Sequence, residues 1–352
     1  MLAGLDAYTS TFLSNVNAAE TRINTANEQL SSGYRVNVPS DDPGAIDAIL
    51  SFQGQIDHVT QIQSNISQAT TIANVSDSAL SSASDLLNQL SSIATQGASS
   101  SSTAANNKSL AEEVQGIGEQ MVALANTSYA GQYIFGGDSS TTQPYTGNFA
   151  TQSVPAVPAT IPATTVVQLV APPGYAQENT AGSTVTLANS DGDSLVIPPQ
   201  TAQQIFDTQT AGATPTSPTV PAAGNILTNI GNLILALQNN NQAAISTGTL
   251  AVAATATTAM VPAVPSIVSS LQASVAQLGQ ATAVYGNTID WLQSSATTAT
   301  SNLTSLQSQL SGLRDADATQ AATDLTTAET AMQAAIAAQG TMNIKNLFSY
   351  MG

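Results

Sequence analysis

The stretch IDWLQSSATTATSNLTSLQSQLSGL, residues 289–313, decides the fold, because its apolar residues recur at spacings of three and four. They follow a heptad, a seven-residue repeat with two apolar positions, at Ile289, Leu292, Ala296, Ala299, Leu303, Leu306, Leu310 and Leu313. At a rise of about 1.5 Å per residue the segment makes a helix of roughly 37 Å. A helix of this length with so narrow an apolar stripe needs a partner helix of similar length.

The opposite end of the chain offers such a partner. The same alternation of four and three occurs at Leu5, Thr9, Phe12, Val16, Ala19, Ile23, Ala26 and Leu30. We therefore expect a mainly α fold, a long antiparallel helical bundle or coiled coil formed by the N- and C-terminal regions, in which residues 5–30 pack against residues 289–313. The alternative is a helix bundle in which the two ends never meet.

The chain carries few charges, and most of them are acidic. Charged residues make up 8% of the sequence, and the net charge is -17 with only five Lys and Arg. Because phosphate binding needs a basic face, nucleic acid and anionic membranes are disfavoured as partners. The absence of cysteine removes disulfide and thiol chemistry. We expect no transmembrane helix, and no cleavable signal peptide in MLAGLDAYTSTFLS.

Turn residues divide the rest of the N-terminal half into helices. Gly33 is typical of the position after a helix, and Asp42 with Pro43 is typical of a helix start, so a second helix is expected over Ala45 to Gly97. A third helix should follow the serine-rich loop. The positions expected to face inward in these two helices are Ile62, Ile66, Ala69, Ala73, Ser76, Leu80, Ala83, Leu87, Leu90, Ala94, Leu110, Val114, Ile117, Met121 and Leu124.

A β-rich insertion interrupts the helical pattern. Most of the prolines follow the GQYIFGG motif, and short runs rich in Val and Thr at 164–171, 183–187 and 194–197 predict strands. Helical spacing resumes at Ile226. A long helix is then expected from Ile267 to Leu313, with a final helix after the RDAD turn.

We predict three structural parts from this order. Residues 1–44 and 300–352 form a terminal helical coiled-coil domain for assembly, and residues 45–137 and 225–299 form a helical rod domain. Residues 138–224 form an inserted β-rich outer domain. The insertion contains acids but no Lys or Arg, so its surface is expected to be anionic.

No residue pattern points to catalysis, a cofactor or a metal. His58 is the only histidine, and a zinc site or a Ser-His-Asp triad needs further partners. The DGD sequence at 191–193 favours a hairpin turn over a calcium site, and the DAD sequence at 315–317 favours a helix break and cap. Gly136–Gly137 lacks the Lys that follows a phosphate-binding glycine loop. We therefore expect a protein that is not an enzyme.

Four stretches resemble the flagellin family of bacterial flagella. They are LSSGYRVNVPSDDPGAI at 30–46, ANTSYAGQYIFGG at 125–137, LSGLRDADATQAATDL at 310–325 and NIKNLFSYMG at 343–352. The PSDDP turn, the GQYIFGG entry into the insertion and the LFSYMG ending are most similar to hook-associated members, which form the junction between hook and filament. The resemblance excludes the β-rich insertion.

The resemblance implies a secreted, extracellular axial protein that leaves the cell through the flagellar type III export apparatus. The implied partners are other copies of the chain, another hook-associated protein, flagellin and an export chaperone. The seam residues expected to carry assembly are Leu5, Phe12, Val16, Ile23, Leu30, Leu292, Leu303, Leu306, Leu310, Leu313, Leu347 and Phe348.

Two alternatives remain open. A filament-forming flagellin of the same family would share these helices and motifs but would polymerise by itself into long filaments. A carbohydrate-binding or enzymatic β domain on a helical stalk would use exposed aromatic residues in the insertion. The candidates for that role are Tyr145, Phe149, Tyr175 and Phe206.

Overall fold

The computed structural model describes the backbone of most of the chain. Backbone is described for residues 2–137, 140–154, 166–169, 174–175, 185–188, 194–197, 200–207, 225–247 and 266–348. Side chains are described for residues 9–137, 140–151, 200–207, 225–247 and 266–340.

The fold is mainly α, as the heptad pattern predicts. The α-helices of the described chain are α1 (Leu2–Ser32), α2 (Ile46–Gly97), α3 (Ala104–Ala125), α4 (Ile226–Gln238), α5 (Gln242–Ser246), α6 (Ile267–Arg314) and α7 (Ala318–Phe348). A short π-helix spans Gln203–Asp207. The predicted helices over residues 45–97 and 267–313 are thereby confirmed to within one residue at each end.

Short strands lie between α3 and the π-helix. They are β1 (Ser128–Tyr129), β2 (Gln132–Tyr133), β3 (Tyr145–Thr146), β4 (Thr151–Val154), β5 (Val166–Leu169), β6 (Gly174–Tyr175), β7 (Val185–Ala188) and β8 (Ser194–Ile197). They form antiparallel pairs, β1 with β2, β3 with β6, β4 with β5 and β7 with β8. The three predicted strands correspond to β5, β7 and β8. The DGD sequence at 191–193 lies outside the described residues, between the paired β7 and β8.

The chain divides into two compact units. The first unit consists of Met1–Gln61 and Thr298–Gly352, so it contains both ends of the sequence. The second unit consists of Ile62–Thr297 and contains the strands. The finer division into three parts, with boundaries near residues 44, 137, 224 and 299, stays a prediction.

The two terminal helices pack against each other in the first unit. Ala19 and Ala26 of α1 are buried, as are Ala321 and Ala328 of α7. Because the distance between packed helices depends on the side chains at the contact, alanine at these positions lets the two backbones approach closely. The expected packing of the N- and C-terminal regions is confirmed.

The predicted partner of the first helix is wrong. α1 packs along α7 and not along residues 289–313 of α6. Near its C-terminal end, α6 instead packs Leu310 against Val36 and Ile49. Both α6 and α7 carry apolar residues at the same spacing, so the heptad pattern predicts which face is buried but not which helix covers it.

The core of the second unit is built from aliphatic side chains of the long helices and from a few aromatic rings. α3 packs against α4, which is buried along most of its length. The predicted inward positions of α2 and α3 are buried, apart from the half-buried Ala69 and Leu124. The largest fully buried side chains are Tyr145, Phe135, Phe149, Phe206, Leu80, Leu87, Leu90, Met121, Ile205, Ile226, Ile230 and Leu233.

Gly118 on α3 lies directly against an aromatic ring. A Cβ atom at this position would lie 2.6 Å from Cε2 of Phe149 and 3.0 Å from Cγ2 of Ile230. Both neighbours belong to the buried core, so neither can move away without cost. Gly116, two residues earlier on the same helix, is exposed and has nothing within 4 Å of such a Cβ.

Alanine at these two glycines is expected to change stability in opposite directions. Gly118→Ala should lower the free energy of unfolding by about 1–3 kcal/mol, because overpacking a filled core outweighs the gain in helix propensity. Gly116→Ala should raise it by roughly 0.5–1 kcal/mol, because the exposed helix position only gains propensity. Urea unfolding followed by the fluorescence of Trp291, the only tryptophan, measures both in the second unit. A Gly118→Ala variant more stable than the original protein would contradict the packing described here.

Candidate assembly site

Two turns meet in the first unit, and each belongs to one of the motifs that resemble flagellins. The turn after α1 begins at Gly33, whose φ of 77° is a left-handed conformation that glycine adopts without strain. Its N–H donates to the carbonyl of Gln29 at 2.9 Å and ends the helix, as predicted. The other turn comprises Asp315–Asp317 between α6 and α7.

Backbone hydrogen bonds join the two turns. The N–H groups of Arg35 and Val36 donate to the carbonyl of Arg314 at 2.7 and 3.3 Å, and the N–H of Ala316 donates to the carbonyl of Gly33 at 2.9 Å. The last carbonyls of a helix have no partner within the helix. The turn after α1 therefore supplies donors that the C-terminal end of α6 needs.

Arg35 supplies further donors to the same helix end. Its Nη2 donates to the carbonyl of Leu313 at 2.7 Å, while its Nη1 donates to Asp42 Oδ2 at 3.0 Å. The guanidinium beside Asp42 holds the pKa of that carboxyl below its usual value. Its positive charge also lies at the negative end of the helix dipole of α6. One side chain thus links α6 to both ends of the turn that joins α1 to α2.

Arg314 binds the turn from the opposite side. Its guanidinium carbon lies 4.0 Å from the centre of the Tyr34 ring, a cation–π contact. Its Nε lies 3.5 Å from Asp315 Oδ1, and the hydroxyl of Ser311 donates to the other oxygen of Asp315 at 2.6 Å. The side chains of the RDAD turn are therefore held in place by contacts with α6 and with Tyr34.

Asp317 caps α7, as the DAD sequence predicts. One carboxylate oxygen of Asp317 accepts hydrogen bonds from the N–H groups of Gln320 at 3.2 Å and Thr319 at 2.8 Å. These bonds lower the pKa of Asp317, because they stabilise its charged form. The corresponding prediction for Asp42 needs a correction, because its carboxylate accepts from Ala45 in the turn before α2 begins at Ile46.

An apolar cluster lies beneath these polar contacts. Its buried members are Val36, Ile49 and Leu310, and the half-buried residues Ala45, Phe52, Ile56 and Leu313 pack against it. This cluster joins the turn, the start of α2 and the end of α6. The predicted seam residues Leu310 and Leu313 therefore pack within one chain.

The other predicted seam residues take several positions. Phe12, Val16 and Ile23 are half-buried along α1, and Leu303 and Leu306 are half-buried on α6. Leu292 is fully buried, but it belongs to the second unit. The side chains of Leu5, Leu347 and Phe348 lie outside the described ones, and the assembly role of the whole set stays a prediction.

Large apolar side chains remain exposed on the terminal helix pair. Leu13 of α1 and Ile336 of α7 are each 53% exposed, and Leu30 is 39% exposed. In the turn region of the same unit, Val38 and Leu50 are also exposed. Leu13, Ile336, Val38 and Leu50 were not among the predicted seam residues, because they fall outside the heptad positions that one chain buries.

Sequence reasoning also missed the polar part of the site. Arg35, Asp42, Tyr34 and Arg314 lie in the two motifs, but the 278 positions that separate Arg35 from Leu313 leave no local signal of their contact. One signal was available. The chain has only three arginines, and two of them stand in turns that contain acids.

The N-terminal part of this site matches a known family. Residues 6–140 match the family described as bacterial flagellin N-terminal helical region. This part of the chain is therefore similar to the N-terminal helical region of flagellins. The predicted resemblance to flagellins is confirmed for the stretch that contains the motifs at 30–46 and 125–137.

Flagellins from several bacteria are similar over the same part. B-type flagellin of Pseudomonas aeruginosa is 24% identical over 141 residues, which cover 40% of this chain and 29% of the flagellin. Polar flagellin E of Vibrio parahaemolyticus is 31% identical over 109 residues, which cover 31% of this chain and 29% of that flagellin. The chain thus spans less than a third of the length of these relatives.

The fold is similar to that of a solved flagellar hook-associated protein from Vibrio parahaemolyticus. The TM-score is 0.55 at 17% sequence identity, and the similarity covers 78% of this chain and 100% of the other. This likeness shows the fold, and it confirms the predicted class of long packed helices with a smaller strand-containing region.

Metal binding and membrane crossing concern the part of the chain that the structure describes. There, no group of three or more His, Cys, Asp and Glu side chains could hold a metal ion. Among the described helices, none is long and apolar enough to cross a membrane. His58 is exposed on α2.

Replacing Arg35 is expected to destabilise the first unit. Arg35→Ala removes the donor to the carbonyl of Leu313, and it should lower the free energy of unfolding by about 1 kcal/mol after allowance for solvent exposure. Arg35→Lys should recover only part of this loss, because an ammonium group lacks the two-armed geometry that reaches both acceptors. Urea unfolding followed by far-UV circular dichroism measures the change.

Arg22→Ala is the matched control for this experiment, because Arg22 is an exposed arginine on α1 of the same unit. Its replacement should leave the free energy of unfolding nearly unchanged. If Arg22→Ala and Arg35→Ala lower the free energy of unfolding equally, the hydrogen bond from Arg35 to α6 adds no stability beyond that of its positive charge.

Proposed function

We propose that the chain is a structural axial protein of the bacterial flagellum, which packs its terminal helices against those of neighbouring copies at the junction of hook and filament. The observation that carries the proposal is the exposed apolar surface of the α1–α7 pair at Leu13, Leu30 and Ile336. Burial in an assembly removes such surface from water, which stabilises the contact by about 25 cal/mol for each Å² of apolar area.

The composition of the same helices supports assembly by close packing. Ala and Thr are the commonest residues of α7, and the face lined by Thr326, Thr330 and Ala334 is a shallow groove. Small side chains permit neighbouring helices to approach closely. Contacts that repeat between unlike faces of successive copies generate a ring or a helical lattice.

Hook-associated and filament-forming roles are both consistent with the flagellin N-terminal region. The PSDDP turn, the GQYIFGG motif and the LFSYMG ending, together with the fold likeness to a hook-associated protein, favour the junction role. The relatives found by sequence are flagellins, which favours the filament alternative. In the junction role, the further partners are another hook-associated protein, flagellin and an export chaperone, and the protein works outside the cell.

A carbohydrate-binding or enzymatic role for the insertion receives little support. Stacking against a sugar needs exposed aromatic rings, yet Tyr145, Phe149 and Phe206 are buried. The side chain of Tyr175 lies outside the described ones. The proposed role is therefore mechanical and requires no cofactor.

Imaging separates the two flagellar roles. In cells from which the gene is deleted, electron microscopy should show hooks without filaments if the protein forms the junction. A filament that is present but altered would support the flagellin alternative. Purified protein gives an independent measurement, because a flagellin forms long filaments by itself whereas a junction protein does not.

Polar substitutions at the exposed apolar positions should abolish assembly without unfolding the chain. The double variant Leu13→Gln and Ile336→Gln removes apolar surface that one chain leaves in water, so helix content and unfolding midpoint should stay close to the original values. Secretion should continue, and electron microscopy should show cells with hooks that lack an attached filament.

The matched control places glutamine at exposed polar positions of the same two helices, as Ser14→Gln with Glu329→Gln. This control should assemble normally. Normal assembly by the Leu13 and Ile336 variant would contradict the proposal that this surface is a contact between subunits.

A further inference from the structure

One acid stands alone in a long uncharged part of the chain. Between Asp193 and Asp290 the sequence contains no Lys, Arg, His, Glu or Asp except Asp207. Surface acids need no partner, but Asp207 is only 6% exposed. Burying a lone carboxylate is costly, so its position calls for a physical reason.

The carboxyl of Asp207 shares a hydrogen-bond donor with a backbone carbonyl. Asp207 is the last residue of the π-helix, and the hydroxyl of Tyr145 donates to its Oδ2 at 2.8 Å. The same hydroxyl oxygen lies 3.3 Å from the carbonyl oxygen of Ala202. A phenol has one proton, so it cannot make a full hydrogen bond to both acceptors at once.

A proton on Asp207 removes this conflict. The protonated carboxyl can donate to the oxygen of Tyr145, which leaves the phenolic proton for the carbonyl of Ala202. Both contacts then have their own donor. With the carboxyl ionised, the phenol serves two acceptors and a buried negative charge has no positive partner.

The group lies where several parts of the second unit are fastened together. The side-chain amide of Asn126, at the end of α3, both donates to and accepts from the backbone of Tyr145 at 3.0 and 2.8 Å. Phe206 packs edge-to-face against Tyr145 and Phe135. Gln277 of α6 donates to the carbonyl of Ile205 at 2.6 Å. The π-helix thus holds the ends of α3 and of the strand region against α6.

Several of the described segments around Asp207 carry no charged side chain. Residues 126–137, residues 140–154, α4 and the part of α6 before Asp290 carry no acidic, basic or histidine side chain. Their titratable groups near the cluster are the phenols of Tyr145 and Tyr285. Burial raises the pKa of Tyr285 to about 12, so this phenol stays neutral at physiological pH.

We propose that Asp207 is a proton-operated latch, which holds the π-helix firmly on Tyr145 and the aromatic cluster when protonated and weakens this attachment when ionised. Its ligand is the proton itself. The latch makes the stability of the second unit depend on the pH of the surroundings. It does not rest on the assembly role proposed above.

The direction of the pH dependence follows from the raised pKa of Asp207. Burial raises the pKa of Asp207 to about 6, partly opposed by the hydrogen bond from Tyr145, whereas an unfolded Asp titrates near 3.8. The folded state therefore binds more protons than the unfolded state between these values. The stabilisation is fully present at a pH below the pKa of Asp207 in the unfolded chain, and it is lost as the pH rises through the pKa of Asp207 in the folded chain.

Chemical unfolding of the full chain between about pH 4 and pH 8 tests the latch. Trp291, the only tryptophan, lies in the second unit, so its fluorescence reports the unit that contains Asp207. The folding equilibrium constant of the original protein, relative to that of Asp207→Asn, should fall on the order of 100-fold across this range. Parallel pH profiles of the two proteins would overturn the proposal.

Two controls separate Asp207 from other groups. Asp290→Asn removes an exposed acid of α6 in the same unit and should keep the pH profile of the original protein. His58→Gln removes the only histidine, because imidazole groups in general titrate in the same window. If His58→Gln flattens the profile and Asp207→Asn does not, the latch is wrong.

A direct titration decides the matter even if Asp207→Asn fails to fold. Aspartate labelled with ¹³C at the carboxyl carbon gives one signal for each acid, and the signal of Asp207 should titrate near pH 6. Tyr145→Phe assigns that signal and should move its midpoint upward, because the variant loses the donor that favours the ionised form. Titration of every Asp signal below about pH 4.5 would contradict the proposal.

Discussion

The carbonyl end of α6 is the constraint on which the arrangement of the first unit depends. A helix leaves its last carbonyls without intrahelical partners, and here the turn between α1 and α2 supplies the donors. Backbone N–H groups of Arg35 and Val36 bind the carbonyl of Arg314, and the Arg35 guanidinium binds that of Leu313. Because these contacts fix the turn against the start of α7, they also fix where α1 and α7 run together.

Because charged residues are scarce, the few that lie at the two turns make the contact between these turns specific. Two of the three arginines lie in it, and each faces a carboxylate of its own turn, Asp42 or Asp315. The long helices elsewhere carry mostly Ala, Ser, Thr, Asn and Gln on their outer faces. Such faces carry no repulsive charge and allow close helix contacts, but they do little to fix how far one helix is shifted along another. The directional contacts at the two turns therefore have to define this register.

Periodicity predicted the helices of this protein but not the pairs they form. Spacings of three and four identify one buried face, and the buried Ala19 and Ala26 lie on the expected face of α1. Several helices, α2 among them, share this spacing, so it does not by itself identify residues 289–313 as the partner of α1. The bond from Arg35 to Leu313 was also beyond sequence reasoning, because nothing in either turn identifies the other one.

The strand region is fastened to the helices of the second unit at several places, of which the first joins its two ends. The N–H of Ala202 donates to the carbonyl of Phe135 at 2.8 Å, so the two ends of the intervening segment are held together. Tyr145 and Phe149 lie between these two ends in the sequence, Phe206 follows the second end, and all three belong to the buried core. The side-chain amide of Gln238 on α4 also donates to Thr151 Oγ1 at 3.2 Å, and β5 packs against α4, so the segment between the joined ends contacts the helices as well. A change in this segment that removed these contacts would therefore expose part of α4.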